Sequence, residues 1–557
     1  MMDATKYQTG YYPAPRCDWQ WTQRDHIEKA PVWCSVDLRD GNQSLVVPMD
    51  LGEKLVFYRK LVQIGFKEIE VGFPAASETE YAFLRTLIDR KLIPEDVTVQ
   101  VLTQCREHII RRTFEACRGV GTAIIHFYNA ISAVQREQVY GMSRAGIRQV
   151  AVDAARLVKK LAGEYDGHFR FEYSPESFTG AEPEFALEVC NAVLDELQPG
   201  ENNNVIINLP VTVEMSMPHI YASQVEYISQ NLKYRDHVTL SVHPHNDRGT
   251  GVADTELALL AGAQRVEGTL FGNGERTGNV DIVTLALNLY THGVDPRLDL
   301  SDINDLVETY ETCTRMHVHE RTPYAGSLVF AAFSGGHQDA IAKSFRYREE
   351  KNMYRWNVPY LPIDPGDIGR TYDADVIRVN SQSGKGGIGY VLEHGFGYHL
   401  PPKMREAFSY RCKEISDRTQ RELKPGDVLD IFAENYLNVP GDISVTDFAF
   451  DREKGVVRTR VTFLKDGKET QIRAEGNGSL SAVSNALMNY TGEQFTLHTF
   501  SQHSLAGHGS GSAAVSYIGL QTPAKKVFWG AGTDTDVIRS SIHALLSAYH
   551  NMMIGRR

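Results

Sequence analysis

Between residues 32 and 290, short β-rich apolar runs alternate with longer amphipathic stretches, the pattern expected of β/α units on a parallel sheet. The runs are Val32–Asp37, Glu68–Gly72, Val97–Leu102, Ala123–Phe127, Phe169–Tyr173, Val205–Leu209, Val238–Val242 and Val266–Phe271. Each precedes a helix-length segment such as Asp50–Ile64 or Thr255–Ala263, and eight such units close a barrel more naturally than an open sheet. The pattern predicts a TIM (β/α)8 barrel over 31–310, behind an N-terminal extension of residues 1–30. In such barrels the chemistry sits where strands end and βα loops begin.

From about 311 to 425 the alternation stops and Pro- and Gly-bearing segments appear, notably Val358–Gly366 and Ser381–Gly389. This reads as a mostly helical linker region. From 426 to 557 strand-like runs (Val428–Phe432, Ile443–Phe450, Gly455–Phe463, Glu469–Ala474) lead to a helix, and the pattern then recurs. Gly476–Val483 and Gly530–Val537 share Gly-x-Gly-[Ser/Thr]-x-[Ser/Thr]-x-Val, each opening a helical segment. A duplicated sheet-plus-helix module, hence an α+β C-terminal domain, is predicted, its glycines marking chain reversals with Ser/Thr helix caps.

Composition narrows the classes. Hydrophobic and charged fractions of 42% and 23% are ordinary for a folded globular chain. A formal net charge of -12, with no basic stripe, argues against nucleic-acid binding. The seven cysteines are scattered without Cys-x-x-Cys spacing, so neither a disulfide framework nor a thiolate zinc site is indicated. No leader-like or membrane-spanning apolar run is present, and a reducing cytoplasmic location without membrane contact is expected.

Chemistry enters at His243-Pro-His245, which closes the seventh run. Side chains two apart in an extended segment face the same way, so both imidazoles can point at one centre. Arg39-Asp40 ends the first run, two strands away around a closed barrel. One carboxylate and two imidazoles with open positions suit a catalytic Zn²⁺, Mn²⁺ or Mg²⁺. A 2-oxo acid can chelate such an ion through its carboxylate and ketone oxygens, and Arg39 can donate to the alkoxide formed when the ketone is attacked. His317-Val-His319 has the same spacing but no strand-end carboxylate to join it, and Ser383–Gly389 has the wrong order for a phosphate loop.

Leu38-Arg39-Asp40-Gly41-Asn42-Gln43 with Lys54, Val242–Gly251 and Gly272–Asn279 together resemble the signatures of the family of 2-isopropylmalate, homocitrate and citramalate synthases. Pro359–Tyr372 resembles the longer, second type of isopropylmalate synthase, and the resemblance covers nearly all of the chain. It implies a Claisen-type condensation of acetyl-CoA with 2-oxoisovalerate and thioester hydrolysis, on a divalent metal, with a monovalent cation such as K⁺ as activator. The implied metal ligands are Asp40, His243 and His245, with Asn279 nearby. Arg39, Glu176, His337 and Tyr360 are the implied catalytic residues, with the order of proton transfers left open. The implied substrate positions are Gln43, Leu102, His126, Ser174, Asn208, Pro210 and Thr212. They make a small, mostly neutral cavity that suits a branched aliphatic side chain better than a second carboxylate. A citramalate synthase taking pyruvate remains the alternative within the family, a metal-dependent hydroxyacyl-CoA lyase or a non-catalytic amino-acid sensor outside it. The Gly-rich loop Gly272–Asn279 lacks the cysteine expected of such a lyase. The resemblance further implies a homodimer and a leucine-binding regulatory domain over 426–557, with Ala506, Gly507 and Gly509 in the effector loop.

Overall fold

The computed structural model describes residues 6, 11–16, 18–332, 334–372, 388–389, 391–419, 423–453, 455–505 and 513–555. They divide into two compact units, drawn from 1–329 with 363–370 and from 330–362 with 371–557. The segment 311–425 thus contributes to both.

In the first unit eight parallel strands close a barrel in chain order: β1 (Val32–Ser35), β2 (Glu68–Gly72), β3 (Thr98–Gln104), β4 (Thr122–Ala130), β5 (His168–Glu176), β6 (Val205–Val211), β7 (Val238–Pro244) and β8 (Arg265–Gly268). Helices separate the strands. The first, α1 (Leu51–Ile64), shows why: Asp50 and Glu53 form a reciprocal capping box, and Gly65 ends the helix in the left-handed region. Phe57, Tyr58, Leu61 and Ile64 recur at helical spacing and are buried.

Two of the predicted strand runs end early. The first stops at Ser35, and Asp37–Gly41 forms a π-helical turn in which the amides of Arg39, Asp40 and Gly41 all donate to the Val36 carbonyl. The buried Asp37 carboxylate, bonded to Ser35 Oγ at 2.8 Å and the Leu270 amide at 3.0 Å, draws the chain out of the sheet. Arg39-Asp40 therefore sits on a turn above the barrel rather than at a strand end. The eighth run leaves the sheet after Gly268 and turns over Leu270–Gly272, where Phe271 has φ +56°.

In the second unit, Val428–Phe432 is not a strand but part of a helix, Pro425–Asn435. Pro425 occupies the first turn, the Asp427 carboxylate accepts from the Lys424 amide, and Val428, Ile431 and Phe432 bury one face at i, i+3, i+4. Two antiparallel three-stranded sheets follow. The first comprises β9 (Ser444–Glu453), β10 (Val456–Lys465) and β11 (Lys468–Gly476), the second β12 (Thr496–Ser504), β13 (Ala514–Gln521) and β14 (Val527–Asp534). Each leads into a helix, Ser479–Thr491 and Val537–Ile554, as the repeated motif predicts. The second pair of motif glycines lies inside β14 rather than at a chain reversal and serves close packing: a Cβ on Gly530 would lie 2.1 Å from the Ala548 amide nitrogen, and one on Gly532 would lie 2.3 Å from the Ser540 carbonyl. In the first pair a Cβ on Gly476 would lie 2.5 Å from the Ala482 amide nitrogen, whereas Gly478 has open space around it and caps its helix without a side chain. The second helix is capped by Asp536, whose carboxylate accepts from the Ile538 and Arg539 amides, in place of the expected Ser or Thr. The two modules share one apolar core that includes Val461, Phe463, Leu487, Ile518 and Leu545.

No helix among the described residues is long and apolar enough to cross a membrane. The six described cysteines are free.

Candidate active site

Period-2 alternation builds the site. Leu102 and Gln104 on β3, His126 and Tyr128 on β4, Ser174 and Glu176 on β5, and Asn208 and Pro210 on β6 all face one cavity of about 350 Å³. Thr212 follows β6, and His243 and His245 close β7; Arg39, Asp40 and Gln43 enter from the turn after β1. Of the implied catalytic, substrate and metal residues of the barrel, all line this cavity except Asn279, whose Oδ1 lies 2.9 Å from His243 Nε2.

Asp40, His243 and His245 each offer a ligand atom, and these atoms lie within 4.8 Å of one another. Asp40 Oδ2 is 3.3 Å from His243 Nε2 and 3.6 Å from His245 Nε2. On its far side His243 Nδ1 meets Glu267 Oε2 at 2.7 Å, the carboxylate contact that fixes a ligand imidazole's orientation. Burial pushes the His243 pKa down, but hydrogen bonds to Asp40 and Glu267 outweigh it and carry it to about 9. His245 falls to about 4 through burial and the neighbouring His243. Asp40, despite its burial, is held well below the carboxylate range by Arg39 and His243. His245 Nδ1 is buried without a hydrogen-bond partner. A carboxylate and two imidazoles, one of them oriented by Glu267, fit a divalent cation.

Arg39 donates through Nε to Glu70 and through Nη1 to Asp40 at 2.8 Å, which fixes its guanidinium at the cavity wall. Glu176 faces the cavity from the end of β5, and burial raises its pKa more than Arg39 lowers it. Gln43 is exposed and donates to Glu275 at 2.7 Å, and Thr212 Oγ1 accepts from the Ser177 amide.

The loop before Asn279 depends on glycine. Gly278 has φ +95°, and a Cβ there would lie 1.8 Å from the Gly272 carbonyl. That turn lays Asn279 beside His245 in an antiparallel bridge and brings the Asn279 side chain to His243.

Lys54, quoted with the first motif, is fully buried and pairs with Glu80 on the helix Glu78–Asp89. His337 and Tyr360 belong to the second unit, where their rings stack at 3.9 Å between centroids; Tyr360 is exposed with φ +65°. Ala506, Gly507 and Gly509 lie outside the described residues, as does most of Ser383–Gly389. His317 and His319 are exposed; they lie 3.6 Å from Glu311 and Glu320 respectively, and His319 Nδ1 accepts from the Arg321 amide at 3.1 Å.

Sequence reasoning missed Phe73, Gln104, Tyr128 and Arg276 at the cavity wall, and the buried Glu70, Gln100 and Glu267 beneath it. Glu68-Ile-Glu70 and Arg265-Val-Glu267 carry the overlooked signal: charges two apart inside a strand run of a closed barrel share one face.

Three family models match in series: "HMGL-like" over residues 30–309, "Alpha-isopropylmalate synthase, post-catalytic domain-like" over 327–393 and "LeuA allosteric (dimerisation) domain" over 422–553. A 2-isopropylmalate synthase of Desulfitobacterium hafniense (strain Y51) is 57% identical over 553 residues, covering 99% of both chains. One of Helicobacter hepaticus is 54% identical, covering 99% of this chain and 100% of its own. One of Clostridium acetobutylicum is 50% identical, covering 96% and 97%.

Proposed function

The chain belongs to the 2-isopropylmalate synthase family, and on that premise we propose that it condenses acetyl-CoA with 2-oxoisovalerate and hydrolyses the thioester, releasing 2-isopropylmalate and CoA. The observation that carries the reading is the convergence of Asp40, His243 and His245 with Arg39 on one cavity. A divalent ion held by those three residues would supply Lewis acidity to a 2-oxo acid chelated through its carboxylate and ketone oxygens. Mg²⁺, Zn²⁺ and Mn²⁺ all suit this donor set.

The chain's own groups carry the rest. A base takes a proton from the acetyl methyl group, whose carbon bonds to the ketone carbon as the ketone oxygen becomes an alkoxide. Arg39, locked between Glu70 and Asp40, keeps its remaining N–H groups for that developing charge. Glu176 is a candidate base because burial raises its basicity toward neutral pH, and His337 with the stacked Tyr360 is the other. Water then displaces the CoA thiol from the thioester. Leu102, Pro210 and the carbon faces of His126, Ser174 and Asn208 receive the isopropyl group.

The domain over 422–553 supports a homodimer in which leucine acts as a feedback inhibitor, with Ala506, Gly507 and Gly509 in the effector loop. Substitutions there are expected to weaken leucine inhibition of the full-length dimer without lowering turnover. Equal leucine sensitivity would remove that assignment.

The deciding assay follows thiol release from acetyl-CoA by the metal-loaded enzyme with pyruvate, 2-oxobutyrate, 2-oxoisovalerate and 2-oxoglutarate. The branched oxo acid is expected to give the highest kcat/KM. Thiol release at the same rate without any oxo acid refutes condensation, and a preference for pyruvate moves the chain to the citramalate branch.

A further inference from the structure

Beneath the cavity lies a hydrogen-bonded layer that touches no candidate substrate position directly except through three side chains. Arg265 Nη2 donates to Gln100 Oε1 at 2.8 Å, which fixes the orientation of that amide. Gln100 Nε2 therefore points its protons at Glu70 Oε2 (2.7 Å) and Glu267 Oε1 (2.8 Å). His126 Nδ1 lies 2.7 Å from Glu70 Oε2 and 3.3 Å from the Gln100 amide nitrogen. A donor amide and an acceptor carboxylate thus face the same ring nitrogen, and only the shorter contact, a proton on Nδ1 given to Glu70, makes a hydrogen bond. Glu70 also pairs with Arg39.

With Nδ1 protonated, His126 Nε2 carries the lone pair, and Ser174 Oγ lies 2.7 Å from it. Glu172 Oε1 is farther from Nε2, at 3.4 Å. Ser174 Oγ already accepts from Asn208 Nδ2 at 3.0 Å, so its own proton goes to His126. Asn208 Nδ2 spends its second proton on Glu267 Oε2 at 3.2 Å. Asn208 Oδ1 has no partner, and it is an acceptor. The polar hydrogens of this wall are therefore all spent inside it, and no donor is left over for the cavity.

We propose that Glu70 is a specificity-positioning residue: by fixing His126 with its proton on Nδ1, it makes His126 absorb the Ser174 hydroxyl proton, so the oxo-acid pocket refuses side chains that need a hydrogen-bond donor. The inference rests on the condensation reading and explains how a wall of His, Ser and Asn serves an aliphatic group. A buried acceptor on the substrate left without a donor loses its hydration uncompensated.

The test uses the full-length, metal-loaded enzyme and two isosteric oxo acids, 2-oxopentanoate and 3-methoxy-2-oxopropanoate, which differ by an ether oxygen in place of one methylene. The ratio of their kcat/KM values is measured in wild type, His126→Phe, Glu70→Ala and the double variant His126→Phe/Ser174→Ala. Intrinsic ketone reactivity cancels when ratios are compared across variants. Freeing the Ser174 proton in either single variant is expected to shift the ratio roughly tenfold toward the ether, within the range by which a site's single hydrogen bond discriminates. Removing the Ser174 hydroxyl is expected to abolish that shift. Loss of the layer's merely structural support would lower both rates together. An unchanged ratio in His126→Phe, or a shift that survives Ser174→Ala, overturns the proposal. Independently of turnover, imidazole ¹⁵N spectra, assigned by the resonance missing in His126→Phe, are expected to show His126 protonated on Nδ1 alone; a proton on Nε2 overturns it. An enzyme inactive with every oxo acid refutes the condensation reading instead, while the spectra still decide the tautomer.

Discussion

The barrel and the paired sheet-plus-helix modules both bury apolar side chains but differ in the polar ones they enclose. The barrel encloses Glu68, Glu70, Glu172, Glu267 and Arg265, whereas the modules' shared core is apolar and their buried polar members are mostly small hydroxyls such as Ser516 and Ser540. Buried charge is expensive and is commonly neutral or worse for stability against an apolar packing. In the barrel that cost coincides with orientation: Glu267 holds His243, Glu70 holds Arg39 and His126, and Arg265 holds the carboxylates and Gln100. Among the described residues of the modules no comparable cluster of buried charges is found, and their shared core is apolar apart from hydroxyl contacts such as Ser516 with Ser540. Substitutions inside the barrel should therefore read out first as function, and those inside the modules as stability.

The sharpest break of this contrast is His243→Ala. Residues behind a metal ligand commonly account for about 10–100-fold in affinity or activity, so loss of the ligand itself should lower kcat/KM by at least about a hundredfold. Calorimetric titration with Mg²⁺ or Mn²⁺ should show a matching loss of binding while the far-ultraviolet circular dichroism is retained. Wild-type metal affinity in the variant would remove the metal assignment.

Next comes Arg265→Leu, which strands several carboxylates at once. Leaving buried charge unpaired costs about 3–5 kcal/mol, to be read as a lower urea midpoint of the barrel transition. A midpoint within error of wild type would mean that these acids are neutral without Arg265.

In the modules, Leu545→Ala opens a cavity in the shared core and should cost about 2–5 kcal/mol. Below the unfolding range its turnover should match wild type. A lowered kcat there would give this core a functional role and blur the contrast.

Last comes Asp37, whose burial lifts its pKa from 3.8 to about 7. A carboxyl raised on folding contributes stability that is fully present below the unfolded value and lost as pH rises through the folded one. Asp37→Asn removes that dependence. The stability difference, variant minus wild type, should therefore grow as pH rises from about 4 to about 7 and level off above. Parallel pH profiles for the two proteins would show that Asp37 does not titrate in this way.

Much of the site was legible because its chemistry is written in short, separated motifs whose spacing has direct geometric meaning. His243 near the end of β7 and His245 just past it, two apart in extended backbone, can face the same centre. The helix at Pro425–Asn435 was not legible as a helix, because five residues rich in apolar side chains satisfy both periods and only Pro425 and the Asp427 cap decide between them. Glu70, Gln100 and Glu267 were passed over because a polar residue in a strand ordinarily faces water, and nothing local says that both faces of this strand are enclosed.

The order of the strands, the pairing of His-x-His with Arg-Asp and the duplication near the C-terminus followed from the sequence by itself, since periodicity and motif spacing are local properties of the chain. Tertiary structure decided that Arg39 and Asp40 ride on a π-helical turn, that Gly278 brings Asn279 to His243, and that His126, Ser174 and Asn208 spend their polar hydrogens on one another and on Glu70 and Glu267. Those outcomes depend on distant partners: Leu270 for Asp37, 233 residues away, Asn279 for His243, 36 away, and Ser174 for His126, 48 away. Hydrogen-bond direction is set by who sits opposite, and only closure of the barrel chooses the opposite residue.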